Sequence, residues 1–294
     1  MGELSRVLEG YSFLEGPRWR EGRLWVSDFY THRVVSTDLR GDVRVEAEVP
    51  GQPSGLGWLP DGRLLVVSMR DHRVLRREPD GELVEHADLS AYTGGHSNDM
   101  VVDAAGRAYV GDFGFDLMSG APVRTTSLVR VEPDGTTAVA AEDMRFPNGA
   151  LALDGVLLVA ETLGARISAF DVAGDGSLSG RRDWARFGDA PDTEDVGETI
   201  AALVVAPDGI SGPDAEGAIW VADALGNRVV RVREGGEIAE EISTGEVGVY
   251  ACVLGGENGR TLFLCTAPGF AEHERRDTRE ARLLAVDVAV PAAG

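Results

Sequence analysis

Arg23-Leu24-Trp25-Val26-Ser27-Asp28 decides the fold, because versions of this phrase return along the whole chain. It recurs as Arg63-Leu64-Leu65-Val66-Val67-Ser68 and Ala108-Tyr109-Val110-Gly111-Asp112, then as Leu157-Leu158-Val159-Ala160-Glu161. The last copies are Ile219-Trp220-Val221-Ala222-Asp223 and Leu262-Phe263-Leu264-Cys265-Thr266. Their final residues fall at 28, 68, 112, 161, 223 and 266, at intervals of 40, 44, 49, 62 and 43. A β-rich unit of roughly 40 to 50 residues is the signature of a propeller blade. The long interval holds the polar stretch 188–198 and the turn Ser211-Gly212-Pro213-Asp214, both read as surface loops.

Strands can be placed around each copy. In the second unit Gly55–Leu59, Arg63–Met69, Arg73–Arg77 and Glu82–His86 are separated by turns such as Pro60-Asp61-Gly62 and Pro79-Asp80-Gly81. Asp-Gly supplies the positive φ that tight hairpins need. The third strand recurs as His32-Arg33-Val34-Val35, His72-Arg73-Val74-Leu75, Asn227-Arg228-Val229-Val230 and Ala281-Arg282-Leu283-Leu284. The sequence therefore predicts an all-β, six-bladed β-propeller over residues 1–294, with no linker and almost no helix. Little chain precedes the first unit, so Leu4–Leu8 is expected to complete the last blade and close the ring.

Composition agrees. Of 294 residues 43% are hydrophobic and 38 are glycine, which suits many tight turns. A net charge of −21 repels phosphates and anionic surfaces, so neither nucleic acid nor membrane is an expected partner. The N-terminal residues lack an apolar run of signal-peptide length, giving a cytoplasmic expectation. Cys252 and Cys265 are read as buried thiols, Trp19, Trp58 and Trp220 as packing between blades, and the chain as a monomer or weak homodimer.

The first strand of a blade is its innermost, so the residues opening these strands meet at one mouth of the central channel. Counting back from the markers selects Glu15, Asn98, Asn148 and Asp208, with Ser54 and Tyr250 or Ala251 at the remaining places. Singly, Asn148-Gly149 and Asp208-Gly209 are ordinary turn dipeptides. Their shared phase, joined by Glu15-Gly16, makes them candidates for a hard divalent cation: Ca²⁺ or Mg²⁺ first, Mn²⁺ or Zn²⁺ less readily.

At these residues the chain resembles the regucalcin and gluconolactonase family of metal-dependent propeller lactonases. The resemblance runs through Leu14-Glu15-Gly16-Pro17-Arg18-Trp19, Ser97-Asn98-Asp99, Pro147-Asn148-Gly149 and Pro207-Asp208-Gly209. It implies that Glu15, Asn148 and Asp208 ligate the metal and that Asn98 contacts the substrate or a water held by the metal. It further implies acid–base work for Asp208 and places Asp112 and Asp116 as polar pocket residues. His96 stands where sugar-lactone members carry Arg, which separates this chain from the sugar-specific pattern, and the stretch from Asp208 to Asp214 has one residue more than the family pattern, which implies a different loop beside the metal.

The expected activity is hydrolysis of a small lactone, with the metal polarising the carbonyl and activating water and with Asp208 or His96 as base. Two alternatives are a calcium-dependent phosphotriesterase or aryl esterase, and a non-catalytic binding propeller braced by its metal.

Overall fold

The computed structural model describes residues 2–293, which fold into six four-stranded antiparallel sheets. These are the six blades, and the structure is a six-bladed propeller. The second blade comprises Pro53–Trp58, Leu64–Ser68, Arg73–Arg77 and Leu83–Asp88, close to the boundaries expected from its turns. The N-terminal strand, Ser5–Tyr11, pairs antiparallel with Ala281–Asp287 and makes the outer edge of the sixth blade. Closure at this seam covers the edge that Ala281–Asp287 would otherwise expose.

Blades bury their faces against one another. One apolar cluster joins Val34 and Leu56 between blades one and two, another joins Leu65 and Val110 between two and three. Tyr109 with Leu157, Leu158 with Ile219, and Trp220 with Leu262 continue the series around the ring. The tryptophans serve this packing: Trp19 stacks on Phe263 at 5.6 Å, and Trp25 meets Trp58 edge-on at 5.3 Å. Cys252 and Cys265 are both free and buried. No helix among the described residues is long and apolar enough to cross a membrane.

The repeated marker acids have a shared structural task. Asp28 accepts the backbone N–H groups of Ser12 and Phe13, Glu161 that of Arg145, and Asp223 that of Ala206. Each ties the chain entering a blade's inner strand to the end of its second strand. The next residue repeats the pattern through the backbone. Phe29 N–H donates to Phe13 O, Met69 to Gln52, Phe113 to His96, Thr162 to Phe146 and Ala224 to Ala206, at 2.9 to 3.1 Å.

One expectation is corrected. The 188–198 stretch is not loop throughout, because helix α1, Val196–Ala202, begins inside it. Asp195 caps the helix by accepting Glu198 N–H at 2.9 Å. Seven residues are too few to show a periodic apolar stripe in sequence. Asn148-Gly149 and Asp208-Gly209 open inner strands, as their blade phase expects, and are not turns; they lie within Pro147–Leu153 and Pro207–Ser211. Their glycines are there for close approach: a Cβ on Gly149 would fall 2.6 Å from Ile210 N, and one on Gly209 2.5 Å from Ala251 Cβ.

Candidate active site

Each inner strand carries a register break near its start. The breaks fall between Glu15 and Arg18, Pro53 and Leu56, Ser97 and Met100, Pro147 and Ala150, Pro207 and Ile210, and Val249 and Ala251. A bulge re-aims the side chain beside it. Here it coincides with Glu15, Ser54, Asn98, Asn148 and Asp208, the positions that blade phasing selected. All five are buried, and Glu15, Asn98, Asn148 and Asp208 line one cavity together with Tyr250.

The hydrogen bonds at this floor orient two amides in opposite senses. Ser54 Oγ donates to Asn98 Oδ1 at 3.2 Å, which leaves the Asn98 NH₂ free to face the cavity. Thr162 Oγ1 donates to Pro207 O at 2.8 Å, so towards Asn148 it can only accept, and Asn148 Nδ2 donates to it at 3.2 Å. Asn148 is thereby left with Oδ1 to offer. One amide presents a donor and the other a hard oxygen acceptor.

Glu15 and Asp208 form an acidic pair that its surroundings compensate only in part. Burial, then the charge of Asp99, pushes the Glu15 carboxyl up from 4.5 to about 8. Burial, then the charges of Glu15 and Asp99, holds Asp208 well above the usual carboxylate range, and the Asn148 amide and Gly209 N–H pull it back only in part. Asp208 Oδ1 has no hydrogen-bond partner. The nearby cation is already engaged: Arg18 spends its guanidinium on Asp99 at 2.9 Å and on the carbonyls of Leu56, Met100 and Pro17.

This donor set fits a divalent cation. Two buried carboxylates, one with an orphaned oxygen, and one outward amide oxygen are the hard ligands that Ca²⁺ and Mg²⁺ prefer. Among the described residues no group of three or more His, Cys, Asp or Glu side chains is arranged for a metal. The candidate set depends on an asparagine to reach three.

The remaining sequence candidates lie elsewhere. Asp112 does not line the cavity; its carboxylate accepts Thr126 Oγ1 and Gly114 N–H, both at 2.6 Å. It also accepts backbone N–H groups of Gly94 and Gly95 from the chain entering its inner strand, as Asp28 and Asp223 do in their blades. Burial raises its pKa to about 6 in spite of those bonds. Asp116 caps a short 3₁₀ turn, Leu117–Ser119, by accepting Ser119 N–H. His96 and Asp116 line an adjacent recess with His72 and Thr93, which shares Phe113, Leu117 and Met118 with the main cavity. Burial, then the charges of Arg70 and His72, lowers the His96 pKa, so the ring is neutral at pH 7. His96 thus stands beside the floor rather than on it.

What sequence reading missed is the wall. Phe13, Phe29, Phe113, Phe146, Leu163 and Phe270 surround a cavity enclosing about 710 Å³, including its open mouth. Leu117 and Met118, with Ile200 and Leu203 from α1 and the residue after it, overhang it. A signal was available: Phe29, Phe113, Thr162 and Ala224 each follow a blade marker directly, and Phe13 and Phe146 directly precede inner strands.

Residues 13–268 match the protein family described as SMP-30/Gluconolactonase/LRE-like region. Among solved structures, a luciferin-regenerating enzyme superposes with TM-score 0.79 at 17% identity, covering 100% of this chain and 98% of that one. A calcium-binding regucalcin from Agrobacterium tumefaciens gives 0.78 at 19% identity, covering 100% and 95%. A gluconolactonase from Xanthomonas campestris gives 0.71 at 22% identity, covering 99% and 90%.

Proposed function

Because the chain belongs to the SMP-30/gluconolactonase/LRE-like family, we propose that it is a divalent-metal-dependent hydrolase of a small lactone. The observation that carries the proposal is the buried Glu15–Asp208 pair, only partly offset by the charge of an Arg18 already bonded to Asp99, and set at the floor of a cavity open at one mouth. Two like charges in that position are stable only if protonated or bridged by a cation. Glu15, Asn148 and Asp208 would hold the ion. Calcium is the metal we propose, since the ligands are all oxygen and the regucalcin of like fold is described as calcium-binding.

Bound there, the ion supplies Lewis-acid polarisation of a carbonyl and a lowered pKa for water. The rest is the work of this chain's side chains. Asn98 Nδ2–H, oriented by Ser54, donates to the lactone carbonyl oxygen as it gains negative charge. Through the carboxylate oxygen that it would not give to the ion, Asp208 takes a proton from the water that attacks the carbonyl carbon. When the ring C–O bond breaks, that proton passes to the departing alkoxide, and the product is a hydroxy acid. The aromatic wall keeps bulk water from the reacting atoms.

The test is Asp208→Asn and Glu15→Gln, with bound calcium measured by plasma emission and lactone opening by pH-stat. Both variants should lose stoichiometric metal, and turnover should fall by about 10²- to 10⁴-fold. Full turnover by a metal-stripped variant would sink the proposal. Aryl esters and phosphotriesters in the same assay decide between lactonase and the other hydrolase readings.

A further inference from the structure

We infer that the site, on the lactonase reading above, takes lactones bearing a hydrocarbon or aromatic substituent rather than polyhydroxylated sugar lactones. The polar groups of the cavity are gathered at its floor, and those left free there, the Asn98 NH₂, Asn148 Oδ1 and the two carboxylates, are the ones the lactonase reading gives to the ion, the attacking water and the lactone carbonyl. Asn98 is bonded to Ser54, Asn148 to Thr162, and Thr162 to a backbone carbonyl. Above them the described residues of the wall are phenylalanine, leucine, isoleucine, methionine and alanine, with Tyr30 and Tyr250 the sole polar-tipped members. A sugar lactone seated with its carbonyl at the floor would carry its hydroxyls into that wall. Each hydroxyl stripped of water without a new partner costs about 5- to 150-fold in affinity. An alkyl or aryl substituent in the same place gains from burial.

The overhang is built for the same occupant. Its helix α1 is secured to the neighbouring excursion, where Val123 N–H donates to Glu194 O at 2.8 Å and Arg124 pairs with Glu194. Arg145 Nη1 donates to Pro191 O at 2.7 Å. The insertion that lengthens the fifth repeat thus turns Ile200 and Leu203 towards the cavity, with polar anchors outside it. His96, the residue that departs from the sugar-lactone pattern, lies in the adjacent recess and offers the chamber no charged donor.

The experiment compares kcat/KM of the calcium-loaded protein for γ-butyrolactone, its propyl- and hexyl-substituted homologues, and δ-gluconolactone. Calorimetric titration with 2-alkylcyclopentanones, which cannot be hydrolysed, runs in parallel. Each added methylene should raise kcat/KM and ketone affinity by about three- to fourfold until the chamber is filled. Gluconolactone should fall at least about 100-fold below the hexyl lactone. Ile200→Asn should flatten both chain-length slopes. A preference for gluconolactone, or a flat series, overturns the inference and leaves the lactonase reading standing. Ketone binding that lengthens with the chain, without turnover of any lactone, overturns the activity and leaves the apolar chamber standing. Neither turnover nor ketone binding overturns both.

Discussion

Replacing Glu15 by Gln is expected to stabilise the metal-free protein near neutral pH, although it alters a buried residue of the proposed active site. The Glu15 carboxyl, raised from 4.5 to about 8, keeps its proton in the folded chain over a range where the unfolded chain has released it. Stability then falls by about 1.4 kcal/mol per pH unit as pH rises. Below pH 4.5 both states hold the proton and the penalty is absent; by pH 8 it is complete. Across that window the loss is at most about 5 kcal/mol for this group, or roughly 10 °C in Tm at ~2 °C per kcal/mol for a chain of this length. Gln carries no charge to desolvate and no repulsion towards Asp208. Thermal melts in EDTA at intervals from pH 5 to 8 should show the wild-type curve falling away from the Glu15→Gln curve. Saturating calcium should remove the gap, because the ion compensates both carboxylates and binds only the folded state. Parallel curves in EDTA, or a variant less stable than wild type at pH 8, would refute the reasoning.

Other consequences can be measured independently. Asp112→Ala strands buried donors of Thr126 and Gly114 and should cost about 3 kcal/mol in urea denaturation, with calcium binding retained; loss of calcium binding without loss of stability would return Asp112 to the active site. Gly149→Ala places a methyl 2.6 Å from Ile210 N and 2.7 Å from Asp208 O, so a loss of about 1–3 kcal/mol and weaker calcium binding by calorimetry are expected. Deleting residues 2–11 uncovers the edge of Ala281–Asp287, and size-exclusion chromatography should then show self-association.

The propeller was legible because each blade solves the same burial problem. Strands such as Leu64–Ser68 and Ile219–Asp223, buried at every position, must sit between two neighbouring blades, so their continuous apolar runs recur with the repeat. The cavity floor was legible for the same reason: Glu15, Asn98, Asn148 and Asp208 occupy one phase of that period. Asp112 shows the limit of this reasoning. It was itself one of the repeat markers, and the backbone donors it shares in kind with Asp28 and Asp223 identify its role only once the entering chain is seen beside it.

What the amino-acid order determined by itself was whatever recurs, since period is the one long-range relation a linear chain displays. Only the tertiary structure decided the chemistry of the chamber. Leu117, Ile200 and Phe270 come from separate excursions of unequal length, and they share a wall with the repeat-phased phenylalanines because ring closure brings those excursions to one mouth. The orientation of Asn98 and Asn148 was decided there too. It rests on hydrogen bonds to Ser54 in another blade and to a Thr162 hydroxyl already committed across the blade boundary to Pro207. Neither relation has any spacing in the sequence, because both are made between neighbours in space.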